Sequence, residues 1–247
     1  MAMILRAFLL LILCFPSSGL QAQEPLKMVY FNDFAPFSWQ GAQQMQGIYV
    51  DILHEALVNR MKLNVSHQGF PWARAQALVK AHKADGFITV PTEQRSVYTN
   101  FSEAVVSLPT SIFVRKSHPE FNTMKNIQTI AELKGYVLVD YVGNGWASNA
   151  LIDMNVHWLA RFDQIFPYMV QGRGDAHVAS RHMVNYNLKK LGFKGKIIEL
   201  PHPVAWLFAH LCLDKSSKYV GVLAEFNKVI KAMKKDGSIN AIFAQYQ

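Results

Sequence analysis

The sequence predicts an α/β protein of two lobes, each a mixed sheet flanked by helices, connected by two strands. Three observations carry this. Between Leu26 and Ile88, short apolar runs alternate with amphipathic segments in the order β-α-β-α-β, the pattern of a parallel sheet covered by helices. A second run of similar size follows between Tyr136 and Leu200. A long apolar stretch, Ala205 to Leu213, comes late and is followed by helical periodicity, which suits a C-terminus that returns to the first lobe.

In chain order, residues Met1 to Ala22 form a separate object. Arg6 is its only charge, Ala7 to Phe15 is an apolar core, Pro16-Ser17-Ser18-Gly19 breaks it, and Ala22 offers a small residue for cleavage. This predicts a secretory signal peptide and a periplasmic protein; a retained anchor is the alternative. Cleavage leaves Cys212 without Cys14, so no intrachain disulfide is expected, and Leu211-Cys212-Leu213 suggests a buried, inert thiol.

Leu26 to Phe31 predicts a strand and Asn32 to Trp39 an aromatic-rich loop. A helix is expected from about Tyr49 to Arg60, then a strand at Leu63 to His67 and a helix opened by Pro71-Trp72. Gly86 to Val90 predicts a buried strand ending at a surface. Further strands are expected at Leu108–Arg115, Tyr136–Val139, Val156–Leu159, Ala176–Ala179 and Lys196–Leu200. Helices are expected at Asn126–Leu133, Trp146–Met154, Asp163–Gln171 and Arg181–Leu191. Near the end, Val222, Phe226, Val229, Ile230 and Met233 fall at helical spacing, and a short amphipathic helix closes the chain. The two crossings between lobes are placed near Val114–Pro119 and Leu200–Val204. The resulting division is a signal peptide at 1–22, lobe one at 23–114 and 203–247, and lobe two at 115–202.

Hydrophobic residues make up 51% of the 247 and charged residues 17%, which gives sizeable cores and argues against disorder. The formal net charge of +8 comes without an Arg-rich run interleaved with aromatics, which argues against nucleic acid. The lysines of the last long helix read as a solvated face. No Gly-x-Ser-x-Gly, His-Glu-x-x-His or P-loop occurs, and His177 and His182 stand five apart, the wrong spacing for a ligand pair on one helix face. No metal and no cofactor is expected.

The chain offers an anion clamp and aromatic platforms. Thr92 suits a helix N-cap, which puts Arg95 in the first turn, where a cation opposes the helix dipole. Its planar fork matches a carboxylate; a surface pairing with Glu93 or Glu103 is the alternative. Gly143-Asn144-Gly145, just before a helix at Trp146, suits an anion through its amides. Phe34, Trp39, Trp72 and Trp146 fall at strand-to-helix turns, the edge where open α/β sheets bind ligands, although each alone could be core.

These stretches resemble the periplasmic solute-binding proteins of ABC transporters, in the branch that binds polar amino acids. The resemblance runs through Ala35-Pro36-Phe37, Gly47 to Ile52, Ala84-Asp85-Gly86, Thr92-Glu93-Gln94-Arg95 with Phe101-Ser102, Gly172-Arg173-Gly174-Asp175-Ala176 and Lys235 to Ile239. It implies a type II periplasmic-binding-protein-like fold with a two-strand hinge and a solute closed between the lobes. It also implies that Arg95 grips a carboxylate, that Phe34 and Trp72 form aromatic walls, that Gly143, Asn144 and Gly145 supply amides, and that Thr89 and Val90 line the first lobe. Where the family carries an acid for the solute's ammonium, this chain has Ser180. The implied protein is a non-enzymatic monomer that captures a small carboxylate-bearing solute for an ABC permease. The alternatives are a cyclohexadienyl dehydratase-like enzyme or a ligand sensor for a membrane receptor.

Overall fold

The computed structural model describes residues 24–246. The signal-peptide reading of residues 1–22 lies outside them. The strands are β1 Leu26–Phe31, β2 Asp33–Phe34, β3 Ser38–Gln40, β4 Met45–Gln46, β5 Val65–Phe70, β6 Gly86–Thr89, β7 Thr99–Arg115, β8 Leu138–Tyr141, β9 Val156–Leu159, β10 Ala176–Ser180 and β11 Ile197–Asp214. The helices are α1 Ile48–Leu53, α2 Trp72–Lys80, α3 Glu93–Ser96, α4 Phe121–Met124, α5 Gly145–Ala150, α6 Ile165–Val170, α7 Arg181–Lys190, α8 Leu223–Lys235 and α9 Ser238–Ala244. Past Leu53, α1 continues as a π-helical stretch, His54–Arg60.

Eight strands form one sheet in the order β5-β1-β6-β11-β7-β10-β8-β9. The parallel trio β5-β1-β6 makes one half and β10-β8-β9 the other. Between them β7 and β11 run antiparallel and serve both halves, β11 pairing with β6 and β7 pairing with β10. This is the two-lobed α/β architecture the sequence predicts, with β7 and β11 as the connecting strands.

The connection itself differs from expectation. The sequence suggests separate strands broken near Leu200–Val204, but Ile197 to Asp214 is one strand, and β7 begins at Thr99 rather than Leu108. The prolines explain the difference. Pro203 lies where β11 shifts register against β7, between the pairs Glu199–Phe113 and Ala205–Thr110, so its missing amide falls at an irregularity instead of breaking the ladder. A second difference is the aromatic-rich segment after β1. It is a small antiparallel sheet, β2-β3-β4, rather than a loop.

Gly47, ahead of α1, adopts φ 125°, and a Cβ there would lie 2.4 Å from the carbonyl oxygen of Phe37, so only glycine fits. The largest apolar cluster runs from Phe37, Ile52, Leu57, Phe226 and Ile230 to Phe113, Phe166, Val184 and Leu188, joining the helices of both halves. Smaller clusters form around Ile112, Leu138 and Ala176, and around Val29, Ala75, Phe87 and Cys212. Cys212 is wholly buried, and burial pushes its thiol up to about 12, which makes it inert.

Candidate functional site

β6 ends at Thr89, which pairs with His210 of β11. The chain then turns through Val90 and Pro91 into α3. Thr92 caps that helix, its Oγ1 accepting from the Arg95 amide at 3.3 Å. Three groups fix the Arg95 guanidinium. Its Nη1 donates to the Val90 carbonyl at 2.7 Å, its Nε donates to Gln76 Oε1 at 3.1 Å, and its Cζ stands 5.3 Å from the centre of the Trp72 ring. Trp72 packs edge-on against the buried Phe87, which anchors the platform to the core. Among the described residues no carboxylate pairs with Arg95; Glu103 is held by Lys231 at 2.8 Å instead. Partial burial lowers the pKa of the guanidinium from its ordinary value. The result is a half-buried, geometrically fixed cation without an acidic partner.

In the other half, β8 leads through Tyr141 into Gly143-Asn144-Gly145. Gly143 takes φ 101°, and Asn144 caps α5 by accepting from the Ala147 amide at 3.2 Å. The Asn144 Nδ2 donates to Asp140 Oδ1 at 3.0 Å, and the Tyr141 amide donates to the same oxygen at 2.7 Å. Asp140 is wholly buried, with Oδ2 at 3.7 Å from Nδ1 of the equally buried His177. His177 in turn donates from Nδ1 to the Val139 carbonyl at 2.8 Å.

The four aromatics meet different fates. Phe34 sits between Phe31 and Phe37, at ring distances of 5.9 and 5.1 Å. Trp72 carries Arg95. Trp39 lies in β3 and meets the rings of Tyr186 and Tyr246. Trp146 packs on the cluster of Ile112, Leu138 and Ala147. Ser180 ends β10 opposite Thr110, and its Oγ is buried without a hydrogen-bond partner. The structure therefore groups Arg95, Trp72 and Val90 at one sheet edge, while Asn144 with its two glycines stands at the other.

A cavity of about 490 Å3 spans the halves, lined on one side by Phe31, Asp33 and Phe34 and on the other by Tyr141, Phe162 and Met183. Of the sequence-predicted residues it includes Phe34 alone. The sequence reading misses Tyr141 and Phe162 as lining groups. Each stands just at or after the C-terminal end of a strand, and applying the edge rule to every strand would have found them.

The chain matches the bacterial extracellular solute-binding proteins, family 3, over residues 26–247, and it belongs to that family. A comparison with curated proteins finds no match. Among solved structures, the second substrate-binding domain of a putative amino acid ABC transporter from Streptococcus pneumoniae has a TM-score of 0.69 at 19% identity, covering 89% of this chain and 98% of that one. An ancestral cationic amino acid solute-binding protein has a TM-score of 0.69 at 21% identity, covering 90% and 95%. A histidine kinase sensor domain similar to periplasmic binding proteins has a TM-score of 0.69 at 15% identity, also covering 90% and 95%. At these identities the likeness is one of fold.

Proposed function

We propose that this is a periplasmic binding protein that captures a small carboxylate-bearing solute, an amino acid or a relative of one, between two lobes and presents it to an ABC permease. Lobe one comprises residues 23–114 and 203–247, lobe two residues 115–202, and residues 1–22 are the export signal. Arg95 holds the carboxylate, with Trp72 and Phe34 as walls and Thr89 and Val90 beside it. The amides around Gly143, Asn144 and Gly145 meet the anion when the lobes close. Ser180 stands at the strand end between the lobes, and Trp146 serves the turn by anchoring α5 to its core. Closure shifts the population because only the closed form contacts both lobes. The protein acts as a monomer without catalysis.

The observation that supports this reading is the Arg95 guanidinium, braced by Val90, Gln76 and Trp72 and left without an acid. A cation held at partial burial with no carboxylate suits a ligand that supplies one. The test is a thermal-shift screen of amino acids, keto acids and aromatic acids. A bound solute raises Tm, and Arg95→Ala removes that rise, weakening binding by about two orders of magnitude. An unchanged rise with the variant would remove Arg95 from the site. The sensor-domain likeness favours a second reader of the closed form, a membrane receptor; pull-down with solute present separates it from a permease.

A further inference from the structure

Helix α7 separates two cavities. Met183, Asn187 and Lys190 line the one already described, whereas His182, Asn185, Tyr186 and Lys189 line a second, of about 350 Å3. Within each set the residues stand three, four or seven apart, so the sets are two different faces of one helix. The second cavity includes none of Arg95, Trp72 and Phe34 and no part of the turn at Gly143 to Gly145. Its opposite wall belongs to the half that carries β1: Pro36, Ile48 at the start of α1, Phe243 of α9, and Tyr246. The volume falls in the range that encloses small molecules, roughly 300–1,000 Å3.

The charge on these walls is of one sign. Arg181, Lys189 and Lys194 line the cavity, and among the described residues no aspartate or glutamate does. Glu199 accepts from Arg181 Nε and, at 3.2 Å, from Asn185 Nδ2, but it is not part of the lining. Lys194 is exposed, just ahead of β11. The Tyr246 hydroxyl is already committed to Asp51. His182 packs its ring 4.7 Å from that of Phe243, and its Nδ1 is buried with no hydrogen-bond partner. Burial, with Arg181 nearby, holds the His182 pKa below its ordinary value, so the ring is neutral and keeps one N–H to give. Buried polar atoms are normally paired, and an unmet one beside several cations suits a polar group that the chain does not supply. The remaining lining, Ile48, Leu188, Ile197 and Phe243, is apolar.

We propose that this cavity is a second ligand site, separate from the Arg95 clamp, for a small organic anion with an apolar body: Arg181, Lys194 and His182 receive the anionic group, and Ile48, Ile197 and Phe243 receive the body. The inference goes beyond the solute-binding reading and does not depend on it. The two sites are built differently. Arg95 is braced by its own half, whereas here one half supplies the cations and the other most of the apolar wall. A molecule seated between them touches α7 and α9 together, and so favours the arrangement in which those helices meet.

The test uses three probes that share one body and differ in charge, phenylacetate, phenylethanol and phenethylamine, with acetate as the charge without the body. Calorimetry is run on wild type, on Arg95→Ala, which disables the clamp, and on Arg95→Ala carrying Lys194→Glu or Asn185→Trp as well. Lys194 and Asn185 are both exposed, so the added substitutions are expected to leave the melting of the unliganded protein as it is in Arg95→Ala. The expected result is that phenylacetate binds Arg95→Ala about 10-fold or more tighter than the alcohol, the amine or acetate does. Lys194→Glu then weakens phenylacetate by about 10-fold, and Asn185→Trp, whose indole occupies the cavity, abolishes its binding. Phenylacetate that binds wild type but not Arg95→Ala has its only site at the clamp; that overturns the second site and leaves the solute-binding reading standing. An alcohol or amine that binds as tightly as the acid overturns the anion as the ligand class. Phenylacetate binding that is indifferent to both added substitutions overturns the placement, and no binding to either wild type or Arg95→Ala overturns the site itself.

Discussion

The two strand-end turns at Arg95 and at Gly143 to Gly145 are built on opposite plans. On the first, the charge belongs to one side chain, Arg95, and three neighbours on its own half hold it in place. On the second, Gly143 to Gly145 carry no charge; the two glycines are exposed, the Asn144 amide donates to the Tyr141 carbonyl at 3.2 Å, and the Asn144 side chain is tied beneath to the buried Asp140. The first edge can therefore orient an anion alone, whereas the second can add only partial charges to an anion already placed. Under the proposed function this asymmetry would order the steps, docking on the first half and then closure by the second.

The largest effect is expected at Asp140. Asp140→Ala removes the acceptor for the Tyr141 amide and for Asn144 Nδ2 and strips buried His177 of its acidic neighbour. Charge-assisted hydrogen bonds contribute about 1.5–3 kcal/mol each, so a loss of about 3 kcal/mol is expected in denaturant unfolding. Solute docking on Arg95 should persist at reduced affinity; complete loss of binding would mean that the second edge also orients the anion.

Acid acts on the other half. His67 lies in β5, with Nδ1 in a 2.8 Å hydrogen bond with the Tyr30 hydroxyl and Nε2 buried without a partner. Burial, with His54 nearby, lowers its pKa from 6.5 to about 4. Between these values the unfolded chain binds a proton that the folded chain does not. Stability is therefore full above about pH 6.5 and falls as pH drops towards 4. After discounting for the exposed part of the ring, the loss is about 2 kcal/mol. His182, on α7, is shifted the same way by burial, so the wild-type curve reports both groups. The difference between wild type and His67→Gln isolates the half that carries Arg95, and identical curves would mean that the ring is solvated in the fold.

The elements with clear periodicity were legible in the sequence, and Val156–Leu159 coincides with β9. Prolines and short pairings hid the rest. Pro109, Pro201 and Pro203 punctuate the chain, yet β7 and β11 run through them, because strand pairing at the centre of a sheet outweighs a local irregularity. The same blindness covers a likeness between the halves. Asp85, just before β6, accepts from the Lys27 amide at 2.7 Å, and Asp175, just before β10, accepts from the Val137 amide at 2.8 Å. Each ties its strand to the start of a neighbour, but the surrounding residues differ too much to show a repeat. At the site, the cap on Thr92 was readable from residue type. The absence of an acid for Arg95 was not, because it depends on Glu103 finding Lys231, 128 positions away in the chain.

The smallest expected effect separates the two edges most cleanly. Thr92 and Asn144 are both N-caps, accepting at 3.3 and 3.2 Å, and replacing such a cap by alanine typically costs about 1 kcal/mol. If capping were all that either residue did, Thr92→Ala and Asn144→Ala would destabilise equally. Asn144 also donates to Asp140, and losing it leaves a buried carboxylate oxygen short of a partner. Asn144→Ala should therefore cost about 1 kcal/mol more than Thr92→Ala. In a double-mutant cycle its effect should shrink when Asp140 is already alanine, whereas the effect of Thr92→Ala should not change. Equal costs, or an Asn144 effect indifferent to Asp140, would show that the second turn is held by its backbone alone and that the two edges are braced alike.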